Sequence, residues 1–416
     1  MCGIFGIHGN EPDVSRLVYY GLWTLQHRGQ ENSGITCSNG KRIISHKGKG
    51  LVAHVYNEDD INKLKGHIAI GHNRYSTFGK TDIDHSQPVY YHQNTVALAH
   101  NGNLPVVTNL KKFLTREGVS TIGLNDSEMM LKSIEYWVVK GTPLPDAIRI
   151  CFPLFTGAFS LLIMTKNELA AVRDRFGIRP LALGRLNGSH IFSSETCAFD
   201  AIGATYIRDV EPGEMVIVNK TGLHSFRLAE ATLKLDTFEL IYFARPDSIL
   251  LGQSVYEVRK RLGSELAKEA KVTADIVIPV PDSAIPAATG YSEQSKIPLE
   301  HALVKNRYIH RTFIKPAQKQ RTEGVRMKLN IISHVVKGKS VALVDDSIVR
   351  GTTSRRLAAL IRACGAKEVH LLIPSPPVRY PDFYGIDTPK QSELVAANMS
   401  LAKLKDYIGV DTLQYL

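Results

Sequence analysis

No stretch of the 416-residue chain approaches the ~18–20 consecutive apolar residues that a membrane helix needs, and no basic segment precedes the short apolar run at its start. The expected setting is therefore the cytoplasm, with no membrane partner and no secretory signal. The five cysteines (Cys2, Cys37, Cys151, Cys197 and Cys364) show no C-x-x-C spacing, so neither a disulfide framework nor a zinc site is indicated. Internal repeats and low-complexity tracts are lacking too, which excludes solenoids and long disordered arms.

Acidic residues are scarce in one place. The formal charge is +11, and residues 305–328, "KNRYIHRTFIKPAQKQRTEGVRMK", hold eight Lys or Arg against one Glu, which leaves +7 in that stretch alone. Pro316, Gly324 and weak periodicity read as a basic loop. Charge gathered in one loop suits a small multiply charged anion as well as a nucleic-acid backbone, or simply a solvated surface. The concentration argues against a nucleic-acid partner.

What is present reads as two domains of unlike architecture. Residues 1–230 carry short strand-like segments, "HIAIGH" (67–72), "TVALAH" (95–100), "FSLLIM" (159–164) and "ELAAVRD" (168–174). Among them stand two helical patterns, one from Asp13 as N-cap to Gly29 and one from about Asp126. This is a layered α+β domain. Residues 231–416 instead alternate helices with continuous apolar strands, "DIVIPVP" (275–281), "SVALVDD" (340–346) and "EVHLLIPSP" (368–376). That alternation predicts an α/β domain with a parallel sheet covered on both faces.

The most informative stretch is "VALVDDSIVRGTTSRRLAALIRACG" (341–365). A strand ends in Asp345 and Asp346, a loop follows with Gly351, Thr352 and Thr353, and a helix begins with Leu357, Leu360, Ile361 and Cys364 on one face. Backbone amides, hydroxyls and the positive end of the helix dipole converge there on a phosphate. Two adjacent carboxylates suit a ribose diol or a hydrated Mg²⁺. The Gly-Lys-Ser/Thr ending of a Walker A loop is absent. The stretch resembles the signature of the type I phosphoribosyltransferases. The resemblance implies that Asp345 and Asp346 contact the ribose hydroxyls of phosphoribosyl pyrophosphate, directly or through Mg²⁺. It implies that Ser347, Arg350, Gly351, Thr352 and Thr353 hold the 5′-phosphate, and that Ser283 in "PVPDSA" (279–284) is a further metal contact. Lys305 would reach the pyrophosphate from the start of a basic loop that closes over the sugar.

The N-terminal "MCGIFGI", with "LQHRGQENSGI" (25–35), "GHNRYST" (71–77), "AHNGNL" (99–104) and "NDSE" (125–128), resembles the class II glutamine amidotransferases. Alone, Cys2 is no more than a residue after the initiator, and "NGN" is a turn signal. Together they imply the four-layer αββα fold of N-terminal-nucleophile hydrolases. With Met1 removed, Cys2 attacks the glutamine amide, and its own α-amine, of reference pKa ~7.7–8.0, takes the thiol proton. Asn101 (side chain) and Gly102 (backbone amide) form the oxyanion site. The resemblance implies that Arg74 takes the α-carboxylate and Asp126 the α-ammonium of glutamine, assisted by Thr77, and that Arg28, in the loop beside the cysteine, also contacts glutamine.

Glutaminase first and phosphoribosyltransferase second resembles the glutamine phosphoribosylpyrophosphate amidotransferases over nearly the whole chain. The resemblance implies glutamine-dependent formation of 5-phosphoribosylamine, ammonia passed internally, inhibition by purine nucleotides and a homodimer or homotetramer. Many members carry an iron–sulfur cluster on four cysteines. Here the first two positions hold Asp236 and Asp382 and no C-x-x-C follows, so no cluster is expected. A glutaminase serving another acceptor is disfavoured because the S-G-G-x-D-S motif of ATP pyrophosphatases is missing. A silent sensor would be expected to lack a nucleophile or an acid, and Cys2, Asp345 and Asp346 are all present.

Overall fold

The structure is a computed structural model and describes residues 1–416 except 10, 12, 76–84, 92–94, 307–328, 387 and 389. It resolves into two compact units. The first comprises 1–236, 248–252 and 382–387; the second comprises 237–247, 253–381 and 388–416. A single division at 230/231 therefore misses three segments that cross it, because burial, and not chain order, decides where a short loop packs.

In the first unit, alternation of apolar residues builds two stacked sheets. The seven-stranded sheet contains β1 (Gly3–His8), β2 (Asn32–Ser38), β3 (Ile43–Lys49), β4 (Ile68–Arg74), β8 (Ala182–Leu186), β9 (Ser189–Ser193) and β10 (Thr205–Asp209), in the order β10-β8-β9-β1-β4-β2-β3. The five-stranded sheet contains β5 (Ala97–Val106), β6 (Thr156–Met164), β7 (Leu169–Arg173), β11 (Glu214–Asn219) and β12 (Gly222–Arg227), in the order β12-β11-β7-β6-β5. Period-two side chains separate the layers. In β1, Ile4 faces a core shared with Leu162, Ala171 and Val216 of the other sheet. Phe5 and Ile7 face the opposite way, onto Val18 and Leu22 of helix α1 (Val14–Thr24). On the far side, α2 (Thr108–Arg116), α3 (Asp126–Val139) and α4 (Leu144–Cys151) cover the five-stranded sheet through Leu110, Ile134 and Ile148. The result is the αββα layering.

The predicted helix from Asp13 is correct in its cap, whose side chain accepts from the Arg16 amide, but it stops at Thr24. A 3-10 turn over Gln26–Arg28 follows, which bends the chain back toward the start of β1. Glycines permit this closeness. A Cβ on Gly3 would lie 3.1 Å from the Leu25 Cβ, and one on Gly29 would lie 2.5 Å from the Arg74 carbonyl carbon.

In the second unit, four strands, Ile276–Pro279, Ser340–Val344, Glu368–Ile373 and Thr412–Tyr415, form a wholly parallel sheet. The first three of these strands are near-continuously buried, as a sheet covered on both faces requires, while Thr412–Tyr415 at the edge is only partly so. Helices Val255–Glu269, Ile285–Ser295, Thr352–Ala363 and Leu401–Ile408 supply the cover, with Leu266, Ala287, Leu357, Ile361 and Leu404 in one core.

Candidate active site

Pairing of β1 with β4 matches Gly3 to Asn73, so the ladder ends with Cys2 beside Arg74. The neighbouring pair β5–β6 aligns Asn101 with Ser160 and Gly102 with Phe159, which brings the "HNGN" strand under the cysteine. The contact is direct. The Cys2 backbone nitrogen donates to Asn101 Oδ1 at 3.1 Å, and the thiol lies 3.9 Å from the Tyr75 carbonyl oxygen. Asn101 is fully buried, and its Nδ2 has no hydrogen-bond partner. A buried donor without an acceptor costs ~1–3 kcal/mol, a cost that an acceptor arriving beside Cys2 would relieve. Gly102 sits at φ +154°, and a Cβ there would lie 2.0 Å from the Ala158 carbonyl oxygen. No other residue fits. Met1 is in place, its nitrogen donating to the Gly385 carbonyl at 2.9 Å, so the Cys2 nitrogen here is a peptide amide.

Two residues expected to contact glutamine, Arg74 and Asp126, lie in the same unit. Arg74, half-buried, donates to the His85 carbonyl at 3.0 Å. Asp126 opens α3, behind an Asn125–Glu128 capping box, where the helix dipole favours a carboxylate. Its Oδ2 accepts from the Leu104 amide at 3.1 Å and lies 3.8 Å from His100 Nδ1. Burial depresses the His100 pKa despite that carboxylate, so His100 is a neutral ring that donates to or accepts from Ser127 at 2.9 Å. Thr77 lies outside the described residues.

The Arg28 side chain is wholly buried, donating through Nε to the Cys2 carbonyl at 3.0 Å and through Nη1 to Glu195. Both bonds run inward, to the backbone of the cysteine and to a buried carboxylate.

The positions expected to replace cluster cysteines also converge. Arg179, wholly buried, pairs through Nη1 with Asp236 at 2.9 Å and through Nη2 with Asp382 at 3.8 Å, and it donates twice to the Tyr384 carbonyl. This ionic knot fastens the 382–387 segment to the first unit, near Asn103, whose Nδ2 donates to the Phe383 carbonyl at 2.7 Å.

In the second unit the strand Ser340–Val344 ends in Asp345 and Asp346, both buried. Burial and the adjacent Asp346 charge raise the Asp345 carboxyl well above the usual range. Burial raises Asp346 too, opposed by hydrogen bonds from Ser283 at 2.5 Å and Ser347 at 2.6 Å. Gly351 adopts the left-handed conformation, at φ +68°, that turns the loop into the helix at Thr352. The first amides of that helix, around Thr352 and Thr353, have no intrahelical acceptor. Lys305 donates to Asp282 at 2.5 Å, in the loop that carries Ser283. Arg350 pairs with Glu393 at 2.7 Å, an exposed pair worth ~0–1 kcal/mol that an incoming phosphate can displace. The basic stretch 307–328 lies outside the described residues.

The donors at Asp345 and Asp346 are hard oxygens in a buried setting that resists negative charge, which a divalent cation relieves. Among the described residues no cluster of three or more His, Cys, Asp or Glu stands ready for a metal. Two carboxylates fit Mg²⁺ nonetheless, because that ion keeps several waters and substrate oxygens.

Comparison with known proteins agrees with both halves. The glutamine amidotransferase domain family matches residues 72–201, and the phosphoribosyl transferase domain family matches residues 247–374. The amidophosphoribosyltransferase of Synechococcus elongatus is 48% identical over 100% of this chain and 86% of its own length. That of Bacillus subtilis is 46% identical over 100% and 87%. The solved Bacillus subtilis glutamine phosphoribosylpyrophosphate amidotransferase, complexed with ADP and GMP, superposes with a TM-score of 0.91 at 45% identity, covering 100% of this chain and 90% of that one. Similarity of this order over the whole of this chain shows that it belongs to the amidophosphoribosyltransferase family.

Proposed function

We propose that the chain makes 5-phosphoribosylamine from phosphoribosyl pyrophosphate and glutamine, releasing glutamate and pyrophosphate, as the first committed step of purine nucleotide synthesis. The observation that carries the first half-reaction is the vacant Asn101 Nδ2 donor beside Cys2.

Removal of Met1 turns the Cys2 nitrogen into an α-amine, whose hydrogen bond to Asn101 Oδ1 orients it. Near neutral pH that amine accepts the thiol proton as Sγ bonds to the glutamine Cδ. Asn101 Nδ2 and the Gly102 amide receive the oxygen as it becomes an oxyanion. Collapse breaks the C–N bond, the α-ammonium returns its proton to the leaving nitrogen, and ammonia departs. Water then cleaves the thioester to glutamate. Arg74 holds the substrate α-carboxylate and Asp126 its α-ammonium.

In the second unit the loop from Ser347 to Thr353 cradles the 5′-phosphate, and Asp345 and Asp346 hold the ribose diol. Asp345, Asp346 and Ser283 would hold Mg²⁺, which when bound supplies charge for the departing pyrophosphate. Lys305 adds a cation on the same side. Ammonia delivered internally attacks C1 and pyrophosphate leaves. Purine nucleotides compete at this site, and the protein works in the cytoplasm as a homodimer or homotetramer.

The test is separation of the half-reactions. Cys2→Ala abolishes glutamine-dependent product yet keeps ammonia-dependent synthesis. Full glutamine activity in that variant overturns the assignment.

A further inference from the structure

A buried carboxylate that no motif singled out stands behind the nucleophile. Pairing of β9 with β1 ends at Ser193 opposite Phe5, and the chain continues alongside β1. The Ser194 amide donates to the Ile4 carbonyl and the Ile4 amide to Ser194 Oγ, both at 3.0 Å. The next residue, Glu195, is wholly buried and pairs with Arg28. Two further groups fix its orientation. His27 Nε2 lies 2.7 Å from Oε1, and Ser248 Oγ donates to Oε2 at 2.7 Å. Arg28 in turn donates to the Cys2 carbonyl.

We infer that Glu195 is a positioning residue for the glutaminase half-reaction, holding Cys2 in its attacking orientation through Arg28. This deepens the reading of Cys2 as the nucleophile and rests on it. A lone guanidinium at zero exposure would be driven out or would draw in water. Balanced by Glu195, it stays and fixes the carbonyl of the residue whose thiol and nitrogen both react. The pair is rigid because the carboxylate is addressed from three sides, and that rigidity passes to Cys2 through one hydrogen bond. Side chains that hold a reacting group act through geometry, and a displacement near 1 Å costs about 10²-fold in rate.

The experiment uses Glu195→Gln, which keeps shape and removes charge. Glutamine-dependent kcat falls about 10–100-fold with KM for glutamine nearly unchanged. Ammonia-dependent synthesis is preserved, and the pH profile of Cys2 alkylation by iodoacetamide shifts. Ser248→Ala, which leaves the ion pair intact, gives a smaller change in the same direction and serves if Glu195→Gln does not fold. An unaltered kcat and alkylation profile overturns the inference, as does parallel loss of both activities, which marks a merely structural role. Cys2→Ala is run alongside: glutamine activity surviving there sinks the reading of the nucleophile itself, whatever Glu195 does.

Discussion

Replacing Asn101 separates catalysis from folding. In the resting protein its Oδ1 accepts from the Cys2 nitrogen, a bond worth ~0.5–1.5 kcal/mol net, while its Nδ2 is an unpaired buried donor costing ~1–3 kcal/mol. The two nearly cancel, so Asn101→Ala leaves folding stability within about 1–2 kcal/mol of the parent. The transition state has no such cancellation. Loss of one oxyanion donor costs ~2.7–4 kcal/mol, or ~10²–10³ in kcat. Asn101→Asp sharpens the test, because it retains an acceptor for the Cys2 nitrogen but offers no donor. Glutamine-dependent pyrophosphate release, read against ammonia-dependent release in the same preparation, should drop by that factor in both variants, with denaturant midpoints little moved. If Asn101→Asp keeps parental glutamine activity, Asn101 serves only as an acceptor and the oxyanion argument fails.

Other outcomes follow from the same geometry. His72 is buried against the His100 carbonyl with its pKa pushed down to about 3, so the folded state keeps it neutral while the unfolded chain protonates near pH ~6.5. The unfolded state then binds more protons below that pH, and stability falls on acidification by ~1.4 kcal/mol per unit from this group. Urea titrations at pH 6.5 and 5 should lose that slope in His72→Gln, and an unchanged slope contradicts it. Asp236→Asn strips the near carboxylate from buried Arg179 and should cost about 3 kcal/mol. Asp382→Asn, at 3.8 Å and partly exposed, should cost ~0–1 kcal/mol, and equal losses by calorimetry would refute the ranking. Asp345→Asn should depress glutamine- and ammonia-dependent synthesis together, and loss of only the former would misplace the acids.

Periodicity exposed much of this. The continuous apolar runs at 275–281, 340–346 and 368–376 became the parallel strands, because a strand buried on both faces has no polar side to hide. Pairs adjacent in the chain, Asp345 with Asp346 and Asn101 with Gly102, stand out in the sequence because the residues that would act together are neighbours there. Glu195 does not, because a single acid in "SSET" gives no period, and its partners lie 167 and 53 residues away. The 382–387 segment packs with the first unit and bonds to Arg179, a long-range contact that local patterning does not reveal. The burial of Arg28 was equally hidden, because charge alone does not report it; the turn over Gln26–Arg28 directs the side chain inward against Cys2.

The claim beneath all of this is that the Cys2 nitrogen is free when the enzyme works. Intact-mass analysis of protein purified for glutamine-dependent activity tests it most directly. The predicted mass lacks one methionine, with activity proportional to the processed fraction. Full glutamine activity in protein that retains Met1 would contradict the account.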